Sequence, residues 1–257
     1  MTSSHNALNN WFLCFKPNPS ASVRLFCFPY AGGMATLFRS WAQTLPNYIE
    51  VYAAQPPGRG GRISEPAFTH LGPMVESVGA AIKPHLDKPF AFFGHSMGAL
   101  ISFDLAHLLR AEGEPEPVHL FVSGRGAPHL RQPENHTFLL PDAEFIDEIR
   151  RLNGTPPEVL EHAELMELML PLLRADFSVS QTYEYTPRAP LSCPMTVFAG
   201  LADAATREQL EAWGELTTSD FSLRMFPGDH FFLHAAQLDI LRIISQKLAP
   251  SPGGRRF

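Results

Sequence analysis

Cysteine is scarce in this 257-residue sequence, which contains only Cys14, Cys27 and Cys193. Three widely spaced cysteines predict neither a disulfide framework nor the CxxC spacing of a zinc site, so we expect reduced thiols in the core. Positive charge is also low, with 20 Lys and Arg against 26 Asp and Glu, for a formal net charge of -6 at pH 7. Because phosphate binding needs clustered positive side chains, this balance argues against a nucleic-acid partner.

Long apolar runs are missing as well. No stretch reaches the length that spans a bilayer, and residues 1–10 contain no basic segment followed by an apolar one. We therefore expect a cytoplasmic protein without a membrane partner. With 45% hydrophobic and 18% charged residues, the composition is that of an ordinary globular protein. Neither a repeat nor a linker indicates a second domain, so residues 1–257 are predicted to form one domain.

Short apolar runs alternate with amphipathic segments along the chain. The runs predict buried strands at Val23–Phe28, Val51–Ala54, Phe90–Phe93, His119–Val122, Met195–Phe198 and Leu223–Phe226. Helical periodicity lies between them, at Thr36–Leu45, Met97–Arg110, Thr206–Leu216 and Phe231–Leu248. This order predicts an α/β fold, with a mostly parallel central sheet, helices on both faces and ligands at the carboxyl ends of the strands.

One region, about residues 128–185, interrupts this alternation with helical segments that have no strand between them. The first helix is predicted from near Asp142 to Asn153, and the second is predicted to begin after Pro157 and to kink or end at Pro171. We interpret the insertion as a lid. Its broad apolar face either packs on the body of the protein or lines a chamber for an apolar ligand, and both interpretations are compatible.

The most informative motif is GxSxG at Gly94–Gly98, which lies between the strand Phe90–Phe93 and a helical segment. In a nucleophile elbow, the tight turn from strand to helix requires small residues around the serine and exposes its hydroxyl above the sheet. We therefore predict that Ser96 is a catalytic nucleophile, the alternative being a structural serine. Because a serine hydroxyl is a weak nucleophile at neutral pH, a base and an acid that orients the base are also required.

In the α/β-hydrolase fold, which such an elbow indicates, the acid and then the histidine follow the serine along the chain. Asp203 is the predicted acid because it follows the strand Met195–Phe198, whereas the preceding strand ends without a carboxylate. Its alternative role is to cap the helix that begins near Thr206. Asp229 is disfavoured, since a side chain adjacent to the histidine is poorly placed to contact the ring.

His230 is the predicted base because it lies between the last strand and the final amphipathic helix. His234, one helical turn further on, is its main rival among eleven histidines. The sequence pattern places the other candidates elsewhere: His95, His107, His129 and His136.

The tetrahedral intermediate of such a reaction requires two backbone N–H donors, which together form an oxyanion hole. Met97, directly after the serine, is one predicted donor, and Ala31, in the loop after the first predicted strand, is the other. The glycines of this loop, Gly32 and Gly33, let the backbone approach a substrate closely, although they could also mark only a tight turn.

GxSxG alone indicates only a hydrolase, but other segments are more specific. These are Phe28–Gly33, Gln55–Arg62 (QPPGRGGR) with Glu65-Pro66, Ser123–Arg125, Gly154–Pro157, Leu173–Phe177 (LRADF) and Phe226–Phe232. With them the chain resembles, over most of its length, the type II thioesterases that accompany polyketide synthases and non-ribosomal peptide synthetases, and the related medium-chain fatty acyl thioesterases. The sequence departs from this family at Asp229, where glycine is usual, and at Ala204-Ala205, which lack the usual proline or polar residues.

The resemblance implies hydrolysis of acyl thioesters on the phosphopantetheine arm of carrier proteins, with acyl- or peptidyl-carrier domains as partners. It assigns the same triad of Ser96, Asp203 and His230. Hydrolysis through an acyl-serine requires neither a metal nor another cofactor. Two alternatives stay open: a carboxylesterase or acyltransferase with the same triad, which sequence chemistry does not separate, and a non-catalytic carrier-binding module, which a complete triad argues against.

Overall fold

A seven-stranded sheet forms the centre of the computed structural model, which describes residues 10–130, 136–152 and 162–250. The strands are β1 (Phe12–Leu13), β2 (Val23–Phe28), β3 (Ile49–Ala54), β4 (Phe90–His95), β5 (His119–Ser123), β6 (Met195–Gly200) and β7 (Phe221–Phe226). Their order in the sheet is β1-β3-β2-β4-β5-β6-β7, and only β1 runs antiparallel to its neighbour. The predicted mostly parallel α/β sheet is confirmed.

The inner strands are apolar along their whole length because helices cover both faces of the sheet. Every residue of β2 to β6 is buried, whereas β7 lies at an edge and is partly exposed. All six predicted strands are present, extended by up to two residues. The two-residue strand β1 was not predicted, since so short a segment carries no periodicity.

Eight α-helices are seen in the described part of the chain. They are α1 (Arg39–Thr44), α2 (Leu71–Ile82), α3 (Met97–Ala111), α4 (Asp142–Leu152), α5 (Ala163–Gln181), α6 (Arg207–Glu211), α7 (Phe232–Ala235) and α8 (Gln237–Lys247). Buried side chains of α2 and α3 form the core on one face of the sheet, and those of α1, α7 and α8 form it on the other. None of the described helices has the length and hydropathy needed to cross a membrane.

Between β5 and β6, the described residues form a short 3-10 helix at Thr137–Leu139 followed by α4 and α5, without a strand. This agrees with the predicted helical insertion. The predicted end of the first helix at Asn153 and the start of the second after Pro157 lie outside the described residues. A small cluster packs α4 against α5: Phe145, Ile149, Met166, Leu170 and Leu173.

Pro171 does not end α5, which continues to Gln181. A proline in a helix lacks the N–H that would bond the carbonyl four residues earlier, here that of Glu167. Pro171 is exposed to solvent, so water can satisfy this carbonyl. The broad apolar face of α5 is only partly buried, because Leu165 and Leu168 are 36% and 61% exposed.

Candidate active site

The turn that contains Ser96 has little steric freedom. Strand β4 ends at His95 and α3 begins at Met97, leaving Ser96 at φ 54° and ψ -110°, the one positive φ outside glycine among the described residues. A Cβ at Gly94 would lie 2.0 Å from the carbonyl oxygen of Gly98, and one at Gly98 would lie 2.1 Å from that of Phe28. Only glycine fits at either position, as the elbow motif predicts.

The loops after β6 and β7 bring Asp203 and His230 together. Nδ1 of His230 lies 3.1 Å from both carboxylate oxygens of Asp203, whose side chain is only 4% exposed. The two loops are joined by a hydrogen bond of 2.9 Å from Ala202 N–H to the Gly228 carbonyl. Asp203 Oδ1 also accepts a hydrogen bond of 2.7 Å from Ala204 N–H, which fixes the orientation of the carboxylate.

The alternative role of Asp203 as a helix cap is wrong. Thr206 caps α6, with its hydroxyl accepting from Gln209 N–H and the Gln209 side chain accepting from Thr206 N–H. This reciprocal capping box satisfies the donors of the first turn. The carboxylate of Asp203 therefore faces His230 instead of the helix.

The rivals for acid and base make other contacts. His234 Nε2 lies 3.3 Å from the Tyr30 hydroxyl, and burial lowers the pKa of His234. Asp229 accepts a hydrogen bond of 2.9 Å from Phe231 N–H in its own turn. Asp203, by contrast, contacts Nδ1 of His230 through both carboxylate oxygens.

The remaining candidate histidines are bound elsewhere. Nδ1 of His95 lies 2.8 Å from Ser123 Oγ, and burial, reinforced by nearby His230, holds the pKa of His95 well below its usual range. His107 contacts Arg110 on α3, and His129 contacts Glu215 at the surface. His136 packs its ring against Phe138.

The predicted oxyanion donors lie at the start of α3 and in the loop after β2. Met97 is the first residue of α3, so its N–H has no partner within the helix. The loop after β2 forms a turn that is closed by a hydrogen bond of 2.8 Å from Gly33 N–H to the Tyr30 carbonyl. Ala31 lies at the centre of this turn, and its N–H has no acceptor among the described residues. The loop is therefore a tight turn that also leaves a backbone donor available.

A cavity of about 270 Å³ lies beside Ser96 and His230. Ser96, His230 and the loop residues Tyr30–Gly33 line one part of it. The insertion supplies much of the remaining wall, through Ile149, Leu152, Leu165, Met169, Leu173 and Phe177. Val179 of α5 belongs to the core on the body of the protein, while other apolar side chains of α4 and α5 line the cavity, so both interpretations of the insertion describe part of it.

One feature near the site was missed by sequence reasoning: a buried ion pair between Arg59 and Asp176. Nη1 and Nη2 of Arg59 lie 2.7 Å from Oδ2 and Oδ1 of Asp176, and the two side chains are 2% and 0% exposed. Arg59 lies in the QPPGRGGR segment and Asp176 in the LRADF segment, both of which indicate the family without indicating a contact between them. A single sequence does not reveal that residues 117 positions apart form a pair.

The parallel sheet, the elbow and the facing acid–histidine pair define a protein of the α/β-hydrolase fold. Within that class, the chain belongs to the Thioesterase domain family, whose model matches residues 23–248. It is 48% identical over 242 residues to the gramicidin S biosynthesis protein GrsT of Aneurinibacillus migulanus, covering 94% of each chain. It is 36% identical to the medium-chain S-acyl fatty acid synthase thioesterase of Homo sapiens, covering 87% of this chain and 86% of that one.

Solved structures agree with this assignment. The type II thioesterase BorB from the borrelidin biosynthetic cluster superposes with a TM-score of 0.87 at 34% identity, covering 93% of this chain and 98% of BorB. The thioesterase RedJ from the prodiginine pathway of Streptomyces coelicolor gives 0.85 at 39% identity, covering 91% and 88%. The resemblance to type II thioesterases that the motifs indicated is confirmed, whereas the individual roles of the site residues stay predictions.

Proposed function

We propose that this chain is a serine hydrolase that cleaves acyl thioesters from the phosphopantetheine arm of acyl- or peptidyl-carrier proteins, for editing or release during synthesis. One observation carries the proposal. In a member of the thioesterase family, Ser96 lies on a strained elbow at an apolar cavity that it shares with His230, and the ring of His230 is held by Asp203.

The reaction begins when Ser96 Oγ attacks the thioester carbonyl and passes its proton to Nε2 of His230. The carboxylate of Asp203 accepts a hydrogen bond from Nδ1–H of the ring, which keeps Nε2 unprotonated and able to act as the base. The N–H groups of Met97 and Ala31 bind the oxygen that becomes negative in the tetrahedral intermediate. When this intermediate collapses, the carbon–sulfur bond breaks and His230 protonates the leaving thiolate.

Water completes the cycle. His230 removes a proton from a water molecule, which attacks the acyl-serine carbonyl and forms a second tetrahedral intermediate. That intermediate expels Ser96, which regains its proton from His230, and the free carboxylic acid leaves. Every proton is held by a group of this chain, so we propose a mechanism without a metal or a redox cofactor.

The cavity suits an apolar acyl group. Side chains of α4 and α5 supply apolar walls, and each methylene that leaves water there contributes about 0.8 kcal/mol. The same walls exclude bulk water from the acyl-serine and strengthen the hydrogen bonds of the oxyanion hole. We therefore propose that α4 and α5 act as a cover that selects the acyl chain.

A fluorophosphonate probe tests the chemistry, since it reacts covalently with an activated serine. Labelling of the wild-type protein, and none of Ser96→Ala, is the expected result. An absence of labelling in both proteins would instead support a carrier-binding module.

A substrate panel then tests the leaving group. We expect kcat/KM to be highest with an acyl-carrier protein, followed by the coenzyme A and N-acetylcysteamine thioesters, and lowest with a simple ester. A preference for the ester would identify a carboxylesterase. Transfer of the acyl group to an added alcohol or amine, in place of release as the acid, would identify an acyltransferase.

A further inference from the structure

The buried pair of Arg59 and Asp176 lies directly behind the predicted oxyanion loop. Neither side chain is among those that line the cavity. Burying two charges costs desolvation free energy, and a buried ion pair is often no more stabilising than apolar side chains of similar volume. The stability of the fold is therefore a weak explanation for this pair.

The hydrogen bonds of the pair suggest another role. Oδ2 of Asp176 accepts a hydrogen bond of 2.7 Å from Gly32 N–H, and Nη1 of Arg59 donates one of 3.1 Å to the Gly33 carbonyl. These are the two residues that directly follow Ala31. Because the turn Tyr30–Gly33 is closed by its own hydrogen bond, it moves as a unit, and anchoring it at two points fixes Ala31 N–H as well.

Asp176, which anchors the loop through Gly32, belongs to α5, the helix that lines the cavity. Asp176 lies on α5 between Leu173 and Phe177, and both of these neighbours line the cavity. The loop also packs directly on α5, since a Cβ built at Gly32 would lie 2.7 Å from Leu173 Cδ2. The helix and the loop are thus joined by apolar contact and by the buried ion pair.

We propose that Asp176, supported by Arg59, is a positioning residue that holds Ala31 N–H at the developing oxyanion. This inference rests on the proposed function, because it presumes acyl transfer to Ser96. A displacement of about 1 Å in an active site can lower a rate by ~10²-fold, so loss of the anchor should weaken the transition state more than substrate binding.

A pair of double variants isolates the anchor: Arg59→Met with Asp176→Asn, and Arg59→Met with Asp176→Leu. Neither leaves an unpaired buried charge, which would itself be strongly destabilising. Asparagine and leucine have similar shapes, but only asparagine offers an oxygen to Gly32 N–H. Both variants lose the bond from Arg59 to Gly33, so this bond cancels in the comparison.

The readouts are kcat, KM and the inhibition constant of an alkyl trifluoromethyl ketone, which forms a tetrahedral adduct with an active serine. We expect the leucine variant to lose ~10-fold to ~100-fold in kcat and in affinity for the ketone, relative to the asparagine variant. KM and the affinity for a non-hydrolysable thioether analogue of the substrate should change little. If the leucine variant does not fold, Arg59→Met with Asp176→Ala replaces it, since alanine also lacks the acceptor.

Glu50→Gln is a matched control. Glu50 is 4% exposed, accepts a hydrogen bond of 2.7 Å from Asn18 N–H and pairs with Arg24 at 3.3 Å, but it lies near the start of β3, far from the loop. We expect this variant to lower the Tm and leave kcat and the ketone affinity unchanged.

Equal ketone affinities in the two double variants would overturn the inference. It would also be overturned if Glu50→Gln had the same Tm as the leucine variant and lost as much kcat and ketone affinity. Failure of the proposed function looks different. In that case the wild-type protein itself would neither hydrolyse thioesters nor form the ketone adduct at Ser96.

Discussion

Replacement of Asp203 by asparagine should lower kcat by about 10³ to 10⁴, equivalent to about 4 to 5.5 kcal/mol of transition-state stabilisation. The structure gives the reason. Ala204 N–H donates to Oδ1, so the amide oxygen of asparagine must occupy that position and the NH₂ group must occupy that of Oδ2. Both oxygen positions lie 3.1 Å from His230 Nδ1, so the NH₂ group that replaces Oδ2 is within donating distance of this nitrogen, whereas the carboxylate can only accept from it. The proton of the neutral ring then moves to Nε2, which can no longer accept the proton of Ser96.

Asp229→Asn is the matched control for this change. It also removes a carboxylate charge beside His230, but the side chain that it replaces is partly exposed and bonds within its own turn. An exposed charge interaction contributes at most about 1 kcal/mol, so the rate should change by less than about fivefold.

The assay is a single-turnover measurement with an acyl-carrier protein, accompanied by steady-state rates with an N-acetylcysteamine thioester. Equal Tm values would show that both variants fold. A larger loss in Asp229→Asn than in Asp203→Asn would refute the assignment of the acid. So would a folded Asp203→Asn enzyme that retains most of its activity.

Three further predictions concern the base, the cover and the core. His230→Ala should nearly abolish turnover while His234→Ala is mild, and the reverse order of rates would contradict this assignment. Met169→Trp should change the kcat/KM ratio of long to short acyl chains by an amount equivalent to ~1 to ~3 kcal/mol. Leu168 is 61% exposed, so Leu168→Trp should leave this ratio unchanged. Equal ratios in the two variants would exclude α5 from the acyl site. Burial lowers the pKa of His119 to about 3. An unfolded histidine binds protons below about pH 6.5, so the free energy of unfolding should decrease as the pH is lowered from 7 to 5. His119→Gln should remove about 2 kcal/mol of this decrease. Equal decreases for the variant and the wild-type protein, measured by urea unfolding, would disprove the prediction.

Much of the fold could be predicted because its signals are local. Strand β2 is apolar throughout, since a parallel strand is buried on both faces, and its predicted and observed bounds coincide. The glycines around Ser96 are equally local, because the turn itself excludes any side chain there. Asp203 and His230 were predicted as the acid and the base from their positions after core strands, and the structure brings the two side chains into contact.

Other properties depended on distant parts of the chain. The local pattern allowed Asp203 to be either an acid or a cap, and the choice was made by the packing of its loop against the loop of His230. Pro171 indicated a possible helix end, but the helix continues because packing against α4 and the body stabilises it beyond its intrinsic propensity.

The sequence by itself determined the strand pattern and the elbow, because each is recorded in residues that are neighbours in the chain. Only the tertiary structure decided which leucines of α5 face the cavity and which face water. It also decided that Arg59 meets Asp176 and that this pair anchors the loop of Ala31. The physical reason is that the contacts of Asp176 with Gly32 and Arg59 join segments more than a hundred residues apart, and their geometry follows from the packing of the whole sheet and its helices.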